Sequence, residues 1–332
     1  MSVKLKDIAD KLELSVSTIS RVINGKGVVS EETRQRILKT AREMEYYPNE
    51  FGRGLRTMKA NTIAVVLPDV TNPYFSYILR GIEEKCSLEG YSMLVGITNY
   101  DWNRSRQYVD EMAAKHVAGI IIVSNDDRGY EILQQSGITI VSLNEHKRDV
   151  RINWIAIDNY RAMFDLTQYL INQGHRHIAC LYGFNDGENT TGDHRKQGFE
   201  DCMAANKIEI PPQMKIDAGL GYETGRKAAQ RMLCLPQLPT AIVCHNNSIA
   251  VGAYDALRSA GYHVPTDVSI ACFDAIVPKN VIAQQFTCIL QPVREIAHKA
   301  VERIVRADTY KGYTHDALDY EMVIGDSTRS IK

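Results

Sequence analysis

From Asn61 onward, short continuous apolar runs alternate with helix-length amphipathic segments. The runs include TIAVVLPD (62–69), GIIIVSN (119–125), ITIVSLN (138–144), TAIVCHN (240–246) and VSIACFD (268–274). Runs of this kind, rich in β-branched residues and separated by helices, predict buried parallel strands with helices on both sheet faces. The stretch is long enough for two such subdomains. Residues 1–60 follow a different rhythm. Leu5, Ile8, Ala9 and Leu12 recur at helical spacing, as do Ile37, Leu38, Ala41 and Met44 behind a capping Ser30. Three short helices are therefore expected over residues 4–47, with Pro48 stopping the third. NEFGRGLRTMKA (49–60) is the link between the two regions.

The middle helix carries the first candidate chemistry. In LSVSTISR (14–21), Ser15 is placed to cap a helix running to about Asn24. At 100° per residue Ile19, Val22 and Ile23 fall on one side and Ser17, Ser20, Arg21 and Asn24 on the other, with Val16 at the border. Small hydroxyls allow close approach to base edges, arginine takes guanine bidentately, and asparagine takes adenine. An amphipathic helix before it and a short turn between complete a helix-turn-helix pattern. An ordinary surface helix in a small bundle would show the same two faces.

Charge sharpens this reading. The 332-residue chain has a formal net charge of −1. Residues 1–60 hold 12 Lys/Arg against 8 Asp/Glu, so a basic head precedes an acidic body. A basic head suits a polyanionic partner. No apolar run reaches the ~18 residues of a membrane helix, and the polar start MSVKLKDIADKL has no secretory character, so a cytoplasmic location without membrane contact is expected. Seven cysteines with no Cys-x-x-Cys fit that compartment, and Cys180, Cys244, Cys272 and Cys288 fall in apolar runs as reduced core residues.

Parallel α/β sheets bind ligands beyond the carboxyl ends of their strands. Asp69, Asn125, Asn144, Asn246 and Asp274 each follow directly on an apolar run. Together with the aromatic pair Tyr74 and Phe75 they would suit a polyhydroxylated molecule. Catalysis finds little support. The glycines of GLGYETG (219–225) are spaced too wide for a dinucleotide loop, and no zinc-protease, serine-hydrolase or phosphate-loop motif occurs. His175 and His177 in GHRHIA lead into a strand and read as structural, so no metal, no cofactor and no enzyme activity is expected.

The residues also carry a specific resemblance. VSTISRVING, YYPN, NPYF (72–75), RKQGF (195–199), IVCHNNSIAVGA, VPTDVSIACFD and LQP (290–292) together resemble the lactose-repressor (LacI/GalR) family of bacterial transcription regulators. The likeness runs from the first helix to the C-terminal region. It implies a multidomain α and α/β chain: a lambda-repressor-like helix-turn-helix headpiece (1–48), a hinge helix (49–60), and a type I periplasmic-binding-protein-like body (61–332). That body would hold two doubly wound parallel-sheet subdomains, about 61–158 plus 290–320 and about 159–289 plus 321–332.

By the same resemblance, Val16, Ser17 and Arg21 would read major-groove bases and Ser15 and Thr18 would hold phosphates. Leu55 would wedge into a minor-groove step, and Asn24 and Asn49 complete the DNA-contacting set. Arg195, Asn246 and Asp274 match recurrent effector ligands, Thr191 and Leu220 fall at pocket-lining positions, and Asn144 stands where aspartate is common. The implied function is a homodimeric repressor that binds a palindromic double-stranded operator under control of a sugar or sugar derivative. The tail GDSTRSIK shows no heptads for further assembly. Gly52 and Gly54 depart from the family pattern: each costs a helix ~1 kcal/mol relative to alanine, or else allows a close backbone approach. Glu13 and Glu45 stand where glycine is usual, and Lys4 where a hydroxyl cap is usual.

Overall fold

A computed structural model describes residues 3–23, 29–46, 61–123, 137–144, 151–183, 190–274 and 285–332. Residues 1–60 and 61–332 form two compact units.

The first unit holds α1 (Leu5–Leu12), α2 (Val16–Ile23) and α3 (Glu31–Glu43). Ile8, Ala9, Ile19, Val22, Ile37 and Ala41 close a small core. Each helix start is satisfied by its own local chemistry. Lys4 supplies no side-chain cap, and the Asp7 carboxylate instead accepts from the Lys4 backbone N–H at 2.7 Å. Ser15 Oγ accepts from the Thr18 N–H at 3.1 Å, and Ser30 Oγ from the Thr33 N–H at 3.2 Å. Glu13 and Glu45 take left-handed φ values of 54° and 50° at the ends of α1 and α3, the strain foreseen where glycine is usual. The end of α3 corrects the expected boundary. The helix stops at Glu43, left-handed Glu45 reverses the chain, and the Tyr46 N–H donates to Ala41 O at 2.9 Å. Pro48 lies outside the described residues.

The second unit contains two six-stranded sheets. The first is built from β1 (Thr62–Leu67), β2 (Ser92–Ile97), β3 (Gly119–Ile122), β4 (Ile140–Ser142), β5 (Asn153–Ile157) and β11 (His315–Leu318), in the order β11-β5-β4-β3-β1-β2. Every neighbouring pair in it is parallel. The second is built from β6 (Ile178–Tyr182), β7 (Lys215–Asp217), β8 (Ala241–Cys244), β9 (Ser269–Phe273), β10 (Thr287–Leu290) and β12 (Glu321–Val323), in the order β12-β10-β9-β8-β6-β7. It is parallel except for the β10–β12 pair.

The central strands are buried on both faces, which is why they read as unbroken apolar runs. Helices α4 (Pro73–Glu89), α5 (Trp102–Ala114) and α10 (Val293–Val305) cover the first sheet. Helices α6 (Asn159–Asn172), α7 (Thr190–Ala205), α8 (Tyr222–Leu233) and α9 (Asn247–Ser259) cover the second. The chain crosses between the sheets at three places: after β5, after β10 and between β11 and β12. Two short sheets joined by three strands of backbone leave a cleft bordered by their carboxyl ends. Six of the seven cysteines are buried free thiols, and Cys234 is exposed.

Candidate functional site

The headpiece presents one polar face. Ser15, Val16, Ser17 and Arg21 are exposed, Thr18 and Ser20 are half-buried, and Ile19 and Val22 point into the core. Val16 is 43% exposed on this face. Ser15 Oγ lies 2.8 Å from both Ser17 Oγ and Thr18 Oγ1, so the three hydroxyls form one connected donor–acceptor group at the helix N-terminus. That group, next to the partial positive charge of the helix start, is suited to an anionic oxygen. Asn24, Asn49 and Leu55, with Gly52 and Gly54, lie outside the described residues.

The second site is the cleft of the body. It encloses about 750 Å³ including its open mouth, and eight of the ten residues singled out for it from the sequence line it: Tyr74, Phe75, Asn144, Thr191, Arg195, Leu220, Asn246 and Asp274. Most of them are placed by an element boundary. Asn72 caps α4 by accepting from the Tyr74 N–H at 3.0 Å, which sets Tyr74 and Phe75 in the first turn, edge to face with centroids 5.2 Å apart. Phe75 is largely a core residue of the first sheet. Asn144 follows β4, its N–H donating to Ser142 Oγ at 3.1 Å. Thr191 and Arg195 share one face of α7, a turn apart. Leu220 follows β7 and lies against Gly183, where any Cβ would come within 2.6 Å of its Cδ2.

Arg195 is the organising side chain of the second sheet's wall. It is 8% exposed; its Nε donates to Asn159 Oδ1 at 2.9 Å, another arm donates to the His245 carbonyl, and its Cζ lies 3.8 Å above the Phe273 ring. Asp274 follows β9 at a left-handed φ of 55°, a strained setting that turns its carboxylate toward the cleft. Gln291 Nε2 donates to Asp274 Oδ2 at 2.8 Å. Burial pushes the Asp274 carboxyl up to about 6, against the opposing pull of Arg195 and Gln291. Tyr74 is held protonated by burial and by the Asp274 charge. His245 is held neutral by burial and by Arg195 and Lys196.

Two of the polar strand ends do not serve the cleft in the expected way. Asp69 is not among its lining residues: the carboxylate accepts from the N–H and the hydroxyl of Thr71, both at 2.7 Å, and closes a local turn. Asn125 lies outside the described residues. Tyr100, Asn159, His245 and Gln291 also line the cleft and were not selected in the sequence. His245 and Gln291 sit one residue after β8 and β10, the same strand-end position that drew attention to Asp274. Asn159 was concealed by its neighbour Asp158, which caps α6 through the Arg161 N–H at 2.8 Å. Among the described residues, no group of His, Cys, Asp and Glu side chains could hold a metal ion, and no helix is long and apolar enough to cross a membrane.

Known proteins share both units. The model of the family described as "Bacterial regulatory proteins, lacI family" matches residues 4–49, and that of "Periplasmic binding proteins and sugar binding domain of LacI family" matches residues 60–309. The HTH-type transcriptional repressor CytR of Escherichia coli (strain K12) is 32% identical over 98% of this chain and 96% of its own length. The HTH-type transcriptional regulator DegA of Bacillus subtilis (strain 168) is 31% identical over 99% and 98%. The lac repressor dimer bound to operator and the anti-inducer ONPF shares the fold, with a TM-score of 0.85 at 23% identity over 99% of this chain and 100% of that one. A three-helix headpiece with a reading face, a two-sheet body with a polar cleft and these full-length relatives lead to one conclusion: the chain belongs to the LacI family of DNA-binding transcription regulators.

Proposed function

We propose that the protein is a homodimeric repressor that binds a palindromic DNA operator, and that a small neutral-ring effector, a sugar or sugar derivative, sets its affinity from the cleft of the body. The observation that carries the reading is the cleft itself: residues from both sheets converge on one space, with aromatic rings on the first sheet's side and Arg195, Asn246 and Asp274 on the other. Mixed aromatic and polar walls suit a polyhydroxylated ring. Relatives support it: a regulator of Haemophilus influenzae is the ribose operon repressor, at 27% identity over 99% of both chains. Fold relatives carry cellobiose and ribose, and the lac repressor is a dimer on its operator.

A ligand seated between two sheets favours one of their arrangements. It can shift DNA binding only through its differential affinity for the two, typically about 1–3 kcal/mol of coupling. The relatives are transcription regulators, and among the described residues the cleft offers side chains for holding a ring and no nucleophile–base pair for transforming it, so binding without turnover in the cytoplasm is the reading adopted. The experiment is a titration of purified protein with D-ribose, D-glucose and cellobiose by calorimetry, followed by operator binding with and without the compound that binds. Binding coupled to a change in operator affinity supports the reading. Conversion of the sugar to product, or binding with no effect on DNA, contradicts it.

A further inference from the structure

Three buried polar atoms at the cleft have no hydrogen-bond partner among the described residues: His245 Nε2, Asp274 Oδ1 and Thr191 Oγ1. Buried polar groups are nearly always paired, so unpaired ones in a cleft mark where a ligand belongs. Asn246, by contrast, is occupied by the fold. Its Oδ1 accepts from the Ile249 N–H at 2.8 Å as the cap of α9, and its Nδ2 donates to Leu220 O at 3.1 Å.

His245 is held in one protonation state by what surrounds it. Along β8 the side chains of Ala241 and Val243 face the core beneath α6 and α7, and Ile242 and Cys244 face the opposite core. His245 continues the first series and meets α7 near Arg195 and Lys196, with its ring 6.2 Å from that of Tyr182. The Gly183 N–H donates to His245 Nδ1 at 3.3 Å. A nitrogen that accepts carries no proton, so the neutral ring bears its hydrogen on Nε2. The wall therefore offers one fixed donor, at His245 Nε2, and one fixed acceptor, at Asp274 Oδ1.

We propose that His245 contacts the effector directly, its Nε2–H donating to a ring or hydroxyl oxygen while Asp274 Oδ1 accepts from a nearby hydroxyl, and that this pairing selects a neutral polyol over its phosphate ester. The inference rests on the effector reading given above. A phosphate ester would bring an anion toward the Asp274 carboxylate, while Nε and one terminal nitrogen of Arg195 already bond Asn159 and the His245 carbonyl. A neutral hydroxyl satisfies both unpaired atoms without that repulsion.

The test uses the full-length protein and calorimetry with D-ribose, D-glucose, cellobiose, D-ribose 5-phosphate and D-glucose 6-phosphate. Wild type is compared with His245→Met, which keeps bulk and loses the donor, and His245→Gln, whose amide nitrogen is a donor at similar reach. Thermal melts check that each variant folds. The expected result is binding of a neutral sugar, weaker binding of its phosphate, about tenfold loss in His245→Met and recovery of most affinity in His245→Gln. His245→Met binding the sugar as tightly as wild type would overturn the contact while leaving the effector reading intact. Tighter binding of the phosphate would overturn the selection. Binding of none of the neutral sugars would overturn the effector reading and this inference with it.

Discussion

Gln291 and Asp274 are joined by a hydrogen bond of 2.8 Å from the glutamine Nε2 to the carboxylate Oδ2, and Gln291 lies where the chain leaves β10 to cross to the other sheet. The carboxylate that faces the cleft is thus tied to a crossover strand, one of three that any rearrangement of the two sheets must bend. A ligand that engages Asp274 acts on that strand through a single intervening side chain, and crossover strands are the hinges of such folds.

Asp274 should cost the folded body stability at neutral pH. Its carboxyl is raised to about 6 in the fold from an ordinary 3.8, so between these values the native state holds a proton that the unfolded chain releases. Stability from this group is full below the lower value and is lost as pH rises through the upper one, by up to roughly 3 kcal/mol at 1.36 kcal/mol per pH unit. Asp274→Asn is therefore expected to melt higher than wild type at pH 7.5, with the gap shrinking toward pH 4, while binding no effector. An equal melting temperature at both pH values would contradict the raised carboxyl.

Arg195 should not be replaceable by lysine. Its guanidinium serves Asn159 and the His245 carbonyl from one rigid plane stacked on Phe273, a geometry a point ammonium cannot reproduce. Arg195→Lys is expected to lose effector affinity by roughly 2–3 kcal/mol, the worth of a charged hydrogen bond or more, with operator binding kept. Calorimetry and DNA binding on the same sample separate the two effects.

Arg21 should carry sequence preference and little else. It is exposed on the polar face of α2 and outside the headpiece core. Arg21→Ala is expected to lower discrimination between operator and mutated operator by about 1–3 kcal/mol while non-specific, salt-sensitive binding persists. Competition binding at two salt concentrations measures this, and an unchanged ratio would remove Arg21 from base reading.

Gly252 should tolerate no side chain. A Cβ there would overlap the Tyr222 carbonyl, because α8 and α9 approach through Gly225 and Gly252. Gly252→Ala is expected to destabilise the body by about 1–3 kcal/mol, as overpacking of a close contact does, without altering headpiece melting. Differential scanning calorimetry should show the body transition alone moved.

Much of this arrangement was legible in the chain, and the gaps have physical causes. The central strands announced themselves because burial on both faces demands unbroken apolar runs, and the eight cleft residues stood at strand or helix ends or in matched motifs. β2 lies at the sheet edge with most of its residues outside the core, and β7, β11 and β12, three or four residues long, carry too few apolar positions to register. α3 ends at Glu43, short of the expected residue 47, because left-handed Glu45 reverses the chain first. His245 was passed over because its importance depends on tautomer, which only the Gly183 contact reveals. Asn246 shows the converse: the motif marked it as a ligand, and the fold also uses it as a cap.

The central claim is effector-governed, sequence-specific DNA binding. It is tested most directly by incubating the purified protein with sheared genomic DNA of its source at near-physiological salt, with and without the sugar that binds the cleft, and sequencing what is retained. The account predicts enrichment of a small set of palindromic sites whose recovery changes when the sugar is added. Retention of DNA without any common palindrome, or a palindrome whose recovery ignores every cleft ligand, would contradict it.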